Sequence, residues 1–538
     1  MAGLAATFGS GAMTNSIDEL EYTDLILATG TNTTENHPVI GMKVKRAVKQ
    51  HGTKLIVIDP REIDLVKYAD IWLRQKPGTD VAVFNGLMNV IIAENLYDKK
   101  YVTDRTEGFD ALKAAVAKYT PGYVEEISGV PAEDLKKAAR MYAKANRASI
   151  IYAMGITQHI SGTDNVKSTA NLSMLCGNVG IEGGGVNPLR GQNNVQGACD
   201  MGGLPNVFPA YQQVANEDVR KKFEAAWGAS LSGKPGLTLM EIMAAAGSGK
   251  IKALYIMGEN PLLSDPDLHH VKKELQKLDL MIVQDIFLTE TAQIADVVLP
   301  VNAFAEKDGT FTNTERRVQR VRKAIEAPGE AKADWEVICG ISNKMGYPMP
   351  YASAKEIFEE VRTFTPSYAG ITYERLEKEG IQWPCPTVEH QGTRFLHKDK
   401  FSRGLGLFTA LEFIPPNEMP DKEYPYVLST GRVLYHYHTG TMTMRAQGPS
   451  ERCPESLVEI NPGDAGKLGI SDGQLVKVTS RRGNVEVKAS ITTKSAPGSI
   501  FMNFHFSQTP VNLLTNPALD PTGKIPEYKV CAVKLEAV

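Results

Sequence analysis

Short runs of apolar, β-branched residues alternate with amphipathic stretches along the first part of the chain. The strand-like runs are TDLILATG, TKLIVIDP and RASIIYAMG, and a basic helical stretch ending at Gln50 separates the first two. Strands that are apolar throughout and divided by helices are typical of a parallel sheet that helices cover on both faces. The pattern therefore predicts an α/β domain here.

A second stretch repeats this arrangement, with IKALYIMG, DLMIVQDI and ADVVLP as its strand-like runs. In each stretch one Asp ends the second strand and another precedes the third, and eleven residues separate Asp59 from Asp70 and Asp285 from Asp296. Parallel sheets bind ligands at the carboxyl ends of their strands, where an Asp after the second strand often contacts a nucleotide. The repeat predicts two nucleotide-like ligands, although Gly and Asp also end strands for purely structural reasons.

The chain changes character at the linker IPPNEMPDKEYP. The region before the linker is mixed and largely helical, whereas the period-two alternation after it, as in GQLVKVTSRRGNVEVKASIT, predicts an all-β barrel. We therefore predict α/β dinucleotide-binding domains at residues 1–192 and 193–302, a helical connecting domain at 303–415 and a C-terminal β-barrel at 416–538.

Composition excludes several classes of protein. The chain has 42% hydrophobic and 22% charged residues, and its net charge of −3 gives no reason to expect nucleic acid as a partner. No window is apolar enough for a membrane span, and the first residues lack the basic region of a signal peptide. The six cysteines form no C-x-x-C, which argues against zinc or iron–sulfur motifs. These features predict a cytoplasmic protein with reduced cysteines.

Residues 183–205, GGGVNPLRGQNNVQGACDMGGLP, are rich in Gly, Asn and Gln, and Arg190 is their only cation. Glycines let the backbone approach a ligand closely, amides bind polar edges, and a lone Arg can hold a carboxylate bidentately. A flexible linker would contain more Ser and more charged residues. The passage therefore predicts a binding loop.

This passage resembles the active-site loop of formate dehydrogenase catalytic subunits in the molybdopterin oxidoreductase (DMSO reductase) family. Further motifs follow in the family's order: TGTNTTENHP, VIDPRE, AMGITQ, IMGENPLLSDPD, VQDIFLTETAQIADVVLP, MGYPM, GIQWPC and PEYKVCAV. The resemblance covers essentially the whole chain. It implies oxidation of formate to carbon dioxide, or the reverse, at a molybdenum or tungsten ion held by bis-molybdopterin guanine dinucleotide. Arg190 would hold formate by position and charge, and Gln192 would support that geometry.

The resemblance also assigns cofactor-binding residues. For one dinucleotide these are Asn32, Glu35, Asn36, Asp59, Arg61, Gly78 and Asp80, and for the other Asn260, Gln284 and Asp285. Near the pterins it places Met154, Gly155 and Gln158. The barrel, of the double-psi type, would close over the cofactor through Arg432, His436, His438, Asn512, Tyr528 and Lys529.

Two further charged or polar runs have simpler interpretations. His436 and His438 would share one face of a strand, and without a third ligand nearby they favour contact with a phosphate or pterin over a metal. The run from Glu315 to Arg320 favours a solvated or interdomain salt-bridged face.

In the family, a Cys or selenocysteine metal ligand and a His precede the segment that here reads AGLAATFGSGAM. The resemblance thus implies that the metal ligand and a [4Fe–4S] module lie upstream of Met1, and that this chain alone does not turn over formate. A selenocysteine codon read as a stop would explain such a start. The implied partner is an electron-transfer subunit of iron–sulfur, flavin or hydrogenase type.

Other readings of the sequence stay open. The chain could act on nitrate or a sulfur oxyanion within the same family, or hold cofactor without catalysing a reaction. An NAD-dependent dehydrogenase is disfavoured because neither βα turn contains G-x-G-x-x-G. The sequence does not distinguish molybdenum from tungsten, and it does not identify the electron acceptor.

Overall fold

A computed structural model describes residues 1–538. Its strands are β1 (Leu25–Thr29), β2 (Lys54–Ile58), β3 (Ile71–Leu73), β4 (Thr106–Glu107), β5 (Ala148–Tyr152), β6 (Val186–Pro188), β7 (Val207–Phe208), β8 (Gln212–Gln213), β9 (Ala253–Met257), β10 (Leu280–Asp285), β11 (Val297–Pro300), β12 (Gly309–Thr312), β13 (Arg317–Val321), β14 (Ile381–Gln382), β15 (Gly406–Leu407), β16 (Tyr426–Gly431), β17 (Leu457–Ile460), β18 (Leu475–Thr479), β19 (Asn484–Ile491), β20 (Ser499–Asn503) and β21 (Cys531–Ala537).

The helices are α1 (Ala2–Phe8), α2 (Thr33–Asn36), α3 (Pro38–His51), α4 (Asp80–Ala93), α5 (Lys99–Arg105), α6 (Phe109–Val116), α7 (Pro121–Ser128), α8 (Ala132–Lys144), α9 (Met154–Thr157), α10 (Gly162–Leu175), α11 (Val195–Asp200), α12 (Glu217–Trp227), α13 (Leu239–Gly247), α14 (Pro261–Ser264), α15 (Leu268–Leu275), α16 (Asp334–Lys344), α17 (Ala354–Phe364), α18 (Tyr373–Leu376), α19 (Gln447–Arg452) and α20 (Pro462–Leu468). None of them has the length and apolar character that crossing a membrane requires.

The chain forms two compact units. Unit 1 contains residues 1–191, 264–267 and 395–538, and unit 2 contains residues 192–263 and 268–394. The division into four domains made from the sequence stays a prediction.

Unit 1 contains a five-stranded parallel sheet in the order β3-β2-β1-β5-β6. Leu25 and Leu27 of β1 belong to one apolar cluster, which includes residues of α4, α8 and α10. Ile26 and Ala28 belong to a second cluster, which includes residues of α3. Alternate side chains of one strand thus enter two cores. The predicted parallel sheet, covered by helices on both faces, is confirmed.

Unit 2 contains a three-stranded parallel sheet in the order β11-β10-β9. One face packs on α13 and α15, where Met281 and Val283 belong to the same cluster as residues of these helices. The other face exposes Tyr255, Met257 and Val297. This sheet is therefore covered on one face within its own unit.

The repeat seen in the sequence corresponds to repeated backbone hydrogen bonds. In unit 1 a carboxylate oxygen of Asp70 accepts a hydrogen bond from the Leu55 amide (2.9 Å), and the Asp70 amide donates to the Leu55 carbonyl. In unit 2 Asp296 makes the same two bonds with Met281 (2.7 and 2.9 Å). The second Asp of each pair therefore fixes the register between the second and third strands.

The C-terminal part of unit 1 is a closed barrel in the order β16-β20-β17-β19-β18-β21. The pairs β16–β20 and β17–β19 are parallel, and the others are antiparallel. Alternate residues such as Leu428, Val458 and Val476 fill its core. The predicted β-barrel is confirmed.

The run from Glu315 to Arg320 corrects one expectation. Arg316 is fully buried and donates to the carbonyl groups of Trp383, Thr393 and Arg394, so it is not part of a solvated face. Its neighbours do form ion pairs, for example Arg317 with Glu315 (2.8 Å), but this pair lies within the run and does not test the predicted interdomain pairing. Backbone carbonyls, rather than water, solvate the buried guanidinium.

Candidate functional site

The sheet of unit 1 reverses its direction of growth between β1 and β5. From β1 the chain adds β2 and β3 on one side, and later β5 and β6 on the other. The carboxyl ends of the strands beside such a reversal are the usual ligand site of a parallel sheet.

Two glycines let the loops that follow β1 and β5 touch each other. The Gly155 amide donates to the Gly30 carbonyl (3.0 Å), and a Cβ on Gly155 would lie 2.5 Å from the Gly30 Cα. Gly30 also has φ +52°, which a side chain would disfavour. Gly155, expected near the pterins, thus has a backbone role. In the same loop Met154 is 41% exposed, and the Gln158 carbonyl accepts the Lys529 amide (3.3 Å).

The loop after β1 carries a row of buried polar atoms that have no hydrogen-bond partner in the protein. They belong to six of the seven residues from Thr31 to His37. The atoms are Thr31 Oγ1, Asn32 Oδ1, Thr33 Oγ1, Glu35 Oε2, Asn36 Oδ1 and His37 Nδ1. The hydroxyls of Thr29 and Tyr152, which are register partners on β1 and β5, share this property.

A row of this kind destabilises the folded chain until partners are supplied. A buried polar atom without a partner costs about 1–3 kcal/mol, so six of them cost on the order of 10 kcal/mol, comparable to the whole stability of a domain. Four of the six atoms are acceptors only: the side-chain oxygens of Asn32 and Asn36, the ionised Glu35 carboxylate oxygen and the unprotonated His37 Nδ1. They therefore require N–H or O–H donors. Ribose hydroxyls and the N–H groups of guanine or pterin rings supply such donors. The loop therefore fits a molybdopterin dinucleotide.

Asp59 and Arg61 follow β2 at the same edge of the sheet. Burial raises the pKa of Asp59 to about 6, and its carboxylate accepts the Arg61 amide (2.9 Å). The Arg61 guanidinium forms a bidentate pair with Glu459 (2.8 and 2.5 Å) and is 3.9 Å from Glu35. Arg61 thus joins the loop to the barrel, while Asp59 stays buried beside it.

Gly78 and Asp80 lie where α4 begins. Gly78 has φ +82°, and a Cβ there would collide with the Pro416 ring, so its glycine has a structural reason. Burial raises the pKa of Asp80 to about 7, and its carboxylate accepts a hydrogen bond from the side-chain amide of Gln75 (3.2 Å).

Three of the barrel residues make contacts near the start of β21. The Asn512 side chain and the Tyr528 hydroxyl both donate to the Ser264 carbonyl (3.1 and 3.0 Å). The Lys529 ammonium donates to the Thr430 carbonyl, and burial lowers its pKa to about 8. A carbonyl satisfies only part of an ammonium, so Lys529 is suited to an anionic ligand as well.

His436 and His438 do not lie on a strand, because β16 ends at Gly431. The expectation that they share a strand face was therefore wrong. His436 bonds to Thr443 Oγ1 (3.0 Å) and the Cys453 carbonyl (2.7 Å), and His438 has φ +48°. Both of the His436 ring nitrogens thus already have protein partners.

Arg190 lies just after β6, and two distant segments hold its backbone. His37 Nε2 hydrogen-bonds the Arg190 carbonyl (2.7 Å), and Arg432 donates to the next carbonyl, that of Gly191 (3.2 Å). Burial raises the pKa of the Tyr152 phenol, and the positive charge of Arg190 partly offsets that rise. Gln192, the second predicted catalytic residue, is half-buried.

The corresponding edge of the unit 2 sheet is chemically different. Asn260 accepts from the Thr291 amide and hydroxyl (3.2 and 2.7 Å) and donates to Glu290 (2.8 Å). Gln284 donates to Asp334 (2.9 Å) and accepts from a tyrosine, and Asp285 accepts the Ile286 amide (2.7 Å). These three side chains bind protein groups, so the orphaned atoms that mark the unit 1 edge do not recur on them.

Sequence reasoning missed His37, Tyr152 and the threonines beside Asn32. His37 was present in the quoted motif TGTNTTENHP, but a His before Pro looks like a helix start. Tyr152 is the last residue of β5, the position at which parallel strands present side chains to ligands, and that position could have identified it.

Comparison with known proteins identifies the family. Residues 3–344 match the molybdopterin oxidoreductase family, and residues 426–532 match the molybdopterin dinucleotide binding domain. The chain therefore belongs to the molybdopterin oxidoreductase family. This confirms the family resemblance found in the motifs, and with it the class of cofactor.

Individual relatives are similar over the whole chain. It is 53% identical to the F420-dependent formate dehydrogenase 1 subunit alpha of Methanococcus maripaludis, covering 100% of this chain and 80% of that protein. It is 43% identical to formate dehydrogenase H of Escherichia coli, covering 100% of this chain and 76% of that protein. Acetylene hydratase from Pelobacter acetylenicus, a solved structure, has a TM-score of 0.78 at 22% identity, covering 100% and 80% of the two chains, and shows the fold alone.

Proposed function

We propose that the protein oxidises formate to carbon dioxide, or catalyses the reverse reaction, with Arg190 as the residue that holds the substrate. The observation that carries the proposal is the fixed backbone of Arg190 at the carboxyl end of the sheet, beside a loop whose buried polar atoms have no protein partner. Relatives of this chain at 43–54% identity over its whole length are named formate dehydrogenases.

The reaction balances without any further substrate. Formate loses its C–H hydrogen as a proton, which solvent takes up, and releases two electrons, which leaves carbon dioxide. When bound, the metal centre would supply the acceptor for two electrons. The planar guanidinium of Arg190 forms two parallel hydrogen bonds to the formate carboxylate and does not deprotonate, so it acts by orientation and charge. Gln192, two residues further on, supports that orientation.

The bound cofactor is proposed to be bis-molybdopterin guanine dinucleotide. In unit 1 the acceptor atoms of Asn32, Glu35 and Asn36 would receive ring or ribose donors of one dinucleotide. Lys529 would face a phosphate or other anionic group. The second dinucleotide would lie at the edge of the unit 2 sheet, where Asn260, Gln284 and Asp285 would have to share their protein partners with it.

The electrons leave through a partner subunit. Three relatives are named as F420-dependent, so we propose a flavin-type partner that passes electrons to F420. This acceptor is separable from the formate chemistry, since an artificial dye accepts electrons in the same assay whichever natural partner is used.

The test is formate-dependent reduction of a viologen dye by the complete protein isolated with its cofactor. Arg190→Lys keeps the positive charge but loses the two-pronged geometry, so kcat/KM for formate should fall about 100-fold or more. Arg452→Lys, at an exposed position, is the matched control and should keep wild-type values. Equal activity of the two variants, or turnover of nitrate but not of formate by the wild type, would refute the proposal.

A further inference from the structure

We propose that His37 is a positioning residue for the substrate arginine, because its Nε2–H donates to the Arg190 carbonyl while its Nδ1 is left to accept a hydrogen bond from the bound cofactor. The proposal rests on the function proposed above for Arg190. His37 and Arg190 are 153 residues apart, and their contact distance is 2.7 Å.

The backbone of His37 is fixed from both sides. Its amide donates to the Thr33 carbonyl (2.9 Å), and its carbonyl accepts the Gly41 amide (2.8 Å). Pro38 opens α3 directly after it, with a backbone φ that the ring restricts. The imidazole therefore starts from a fixed point between α2 and α3, and the hydrogen bond from Nε2 restrains the Arg190 carbonyl.

The hydrogen bond determines the tautomer. A carbonyl oxygen only accepts, so Nε2 carries the hydrogen and Nδ1 is the acceptor. Burial lowers the pKa of His37 to about 4, which keeps the ring neutral and Nδ1 unprotonated at physiological pH. Nδ1 is buried, has no protein partner, and belongs to the same row as Asn32 and Asn36. One side chain thus faces both the cofactor loop and the substrate arginine.

A second donor holds the next peptide. Arg432 donates to the Gly191 carbonyl (3.2 Å), and a Cβ on Gly191 would lie 2.7 Å from Arg432 Nη2. Glycine at 191 therefore lets the barrel arginine approach. Two consecutive carbonyls are thus bound by residues that are far apart in the sequence, His37 before α3 and Arg432 after β16. This arrangement fixes the position from which the Arg190 side chain starts.

Three substitutions of His37 distinguish the roles of its two ring nitrogens. Gln places an amide N–H where Nε2 lies, Asn places its amide near Nδ1 and does not reach the Arg190 carbonyl, and Leu supplies neither group. We expect kcat/KM for formate to fall about tenfold to 100-fold in His37→Leu and His37→Asn, mainly through a higher KM, and to recover most of the loss in His37→Gln. His51→Leu, at the exposed end of α3, is the matched control.

Hydrogen exchange supplies a readout that does not depend on turnover. Amides in residues 189–195 should exchange about tenfold faster in His37→Leu and His37→Asn than in the wild type, and at wild-type rates in His37→Gln. Gly191→Ala, which displaces Arg432 without altering His37, should also speed this exchange, so the idea stays testable if His37→Leu does not fold.

The outcomes distinguish this proposal from the function it rests on. Faster exchange with rescue by Gln, in a protein that does not oxidise formate, would support the positioning role and refute the substrate. Unchanged exchange in both His37→Asn and His37→Leu would overturn the positioning role even if formate is oxidised. Equal loss in Gln and Asn would also overturn it, because donation from the Nε2 position would then not matter.

Discussion

Asp200 is the residue of the glycine-rich loop whose replacement should have the largest effect on unit 2. Its carboxylate is 1% exposed and accepts four hydrogen bonds from different parts of that unit. The donors are Trp383 Nε1 (2.7 Å), Gln196 Nε2 (2.8 Å), the Tyr211 hydroxyl (2.9 Å) and the Tyr368 hydroxyl. Asp200→Ala removes the acceptor for all four, and buried donors without an acceptor retain their full desolvation cost.

The size of the effect follows from that loss. Breaking a buried charged network costs about 3–5 kcal/mol. Unit 2 has about 200 residues, and for this size each 1 kcal/mol lowers Tm by roughly 2–4 °C. Asp200→Ala should therefore lower the Tm of the unit 2 transition by about 6–20 °C. Asp200→Asn keeps one acceptor oxygen and should lose about 1–3 kcal/mol.

Differential scanning calorimetry resolves this prediction, because the two units need not unfold in one transition. Limited proteolysis, with cleavage sites mapped to residues 192–263 and 268–394, assigns the affected transition to unit 2. Asp218→Asn is a matched control, since Asp218 is exposed. If Asp200→Ala melts within about 2 °C of the wild type, the four contacts do not hold the loop and the reasoning is refuted.

Three further predictions concern unit 1. Gly155→Ala should abolish pterin retention and lower Tm, because the new Cβ meets the backbone of Gly30 on the opposite loop. The fluorescence of extracted pterin measures the loss, and retention at the wild-type level would contradict the prediction. Burial raises the pKa of Asp59 to about 6, so its contribution to stability is full below about pH 4 and is lost as the pH rises to about 6. Asp59→Asn should thus stabilise the cofactor-free protein by about 2–3 kcal/mol at pH 8 and by little near pH 4, as measured by urea unfolding. Gly78→Ala should lower the Tm of unit 1, and Pro416→Ala should restore part of the loss in the double variant by removing the ring that the new methyl group meets.

Much of the fold could be predicted because its determinants are local. The runs of β1, β2 and β5 are mostly apolar, with Ser149 as the one polar residue inside a run, and such runs have few alternatives to a buried parallel sheet. The equal spacing of the two Asp pairs also has a structural cause. Asp70 and Asp296 bind the backbone at the start of the preceding strand, and Asp59 and Asp285 lie at its end, so the spacing reflects the length of the strand and of the connection that follows it. The same spacing suggested ligands, and for Asp59 and Asp285 a ligand role stays a prediction.

The rest depends on long-range pairing, which the sequence does not display. Asn32 and Asn260 follow equivalent strands in similar settings, G-T-N and G-E-N. Asn260 meets Thr291, 31 residues further on, whereas the Asn32 Oδ1 meets no protein donor. Arg316 was misjudged for a related reason, since its acceptors are backbone carbonyls more than 60 residues away and carbonyls carry no sequence signal.

The contrast between the two edges bears on how cofactor and folding are linked. At the unit 1 edge, buried acceptors raise the free energy of the folded chain until donors are supplied, so a ligand that supplies them stabilises unit 1 in proportion to the logarithm of its concentration over Kd. At the unit 2 edge, Asn260 and Gln284 already have partners, and a ligand there has to replace bonds of similar strength. Equal contact areas would therefore yield unequal affinities. Of the two dinucleotide sites proposed above, the unit 1 site would therefore contribute more of the binding free energy than the unit 2 site.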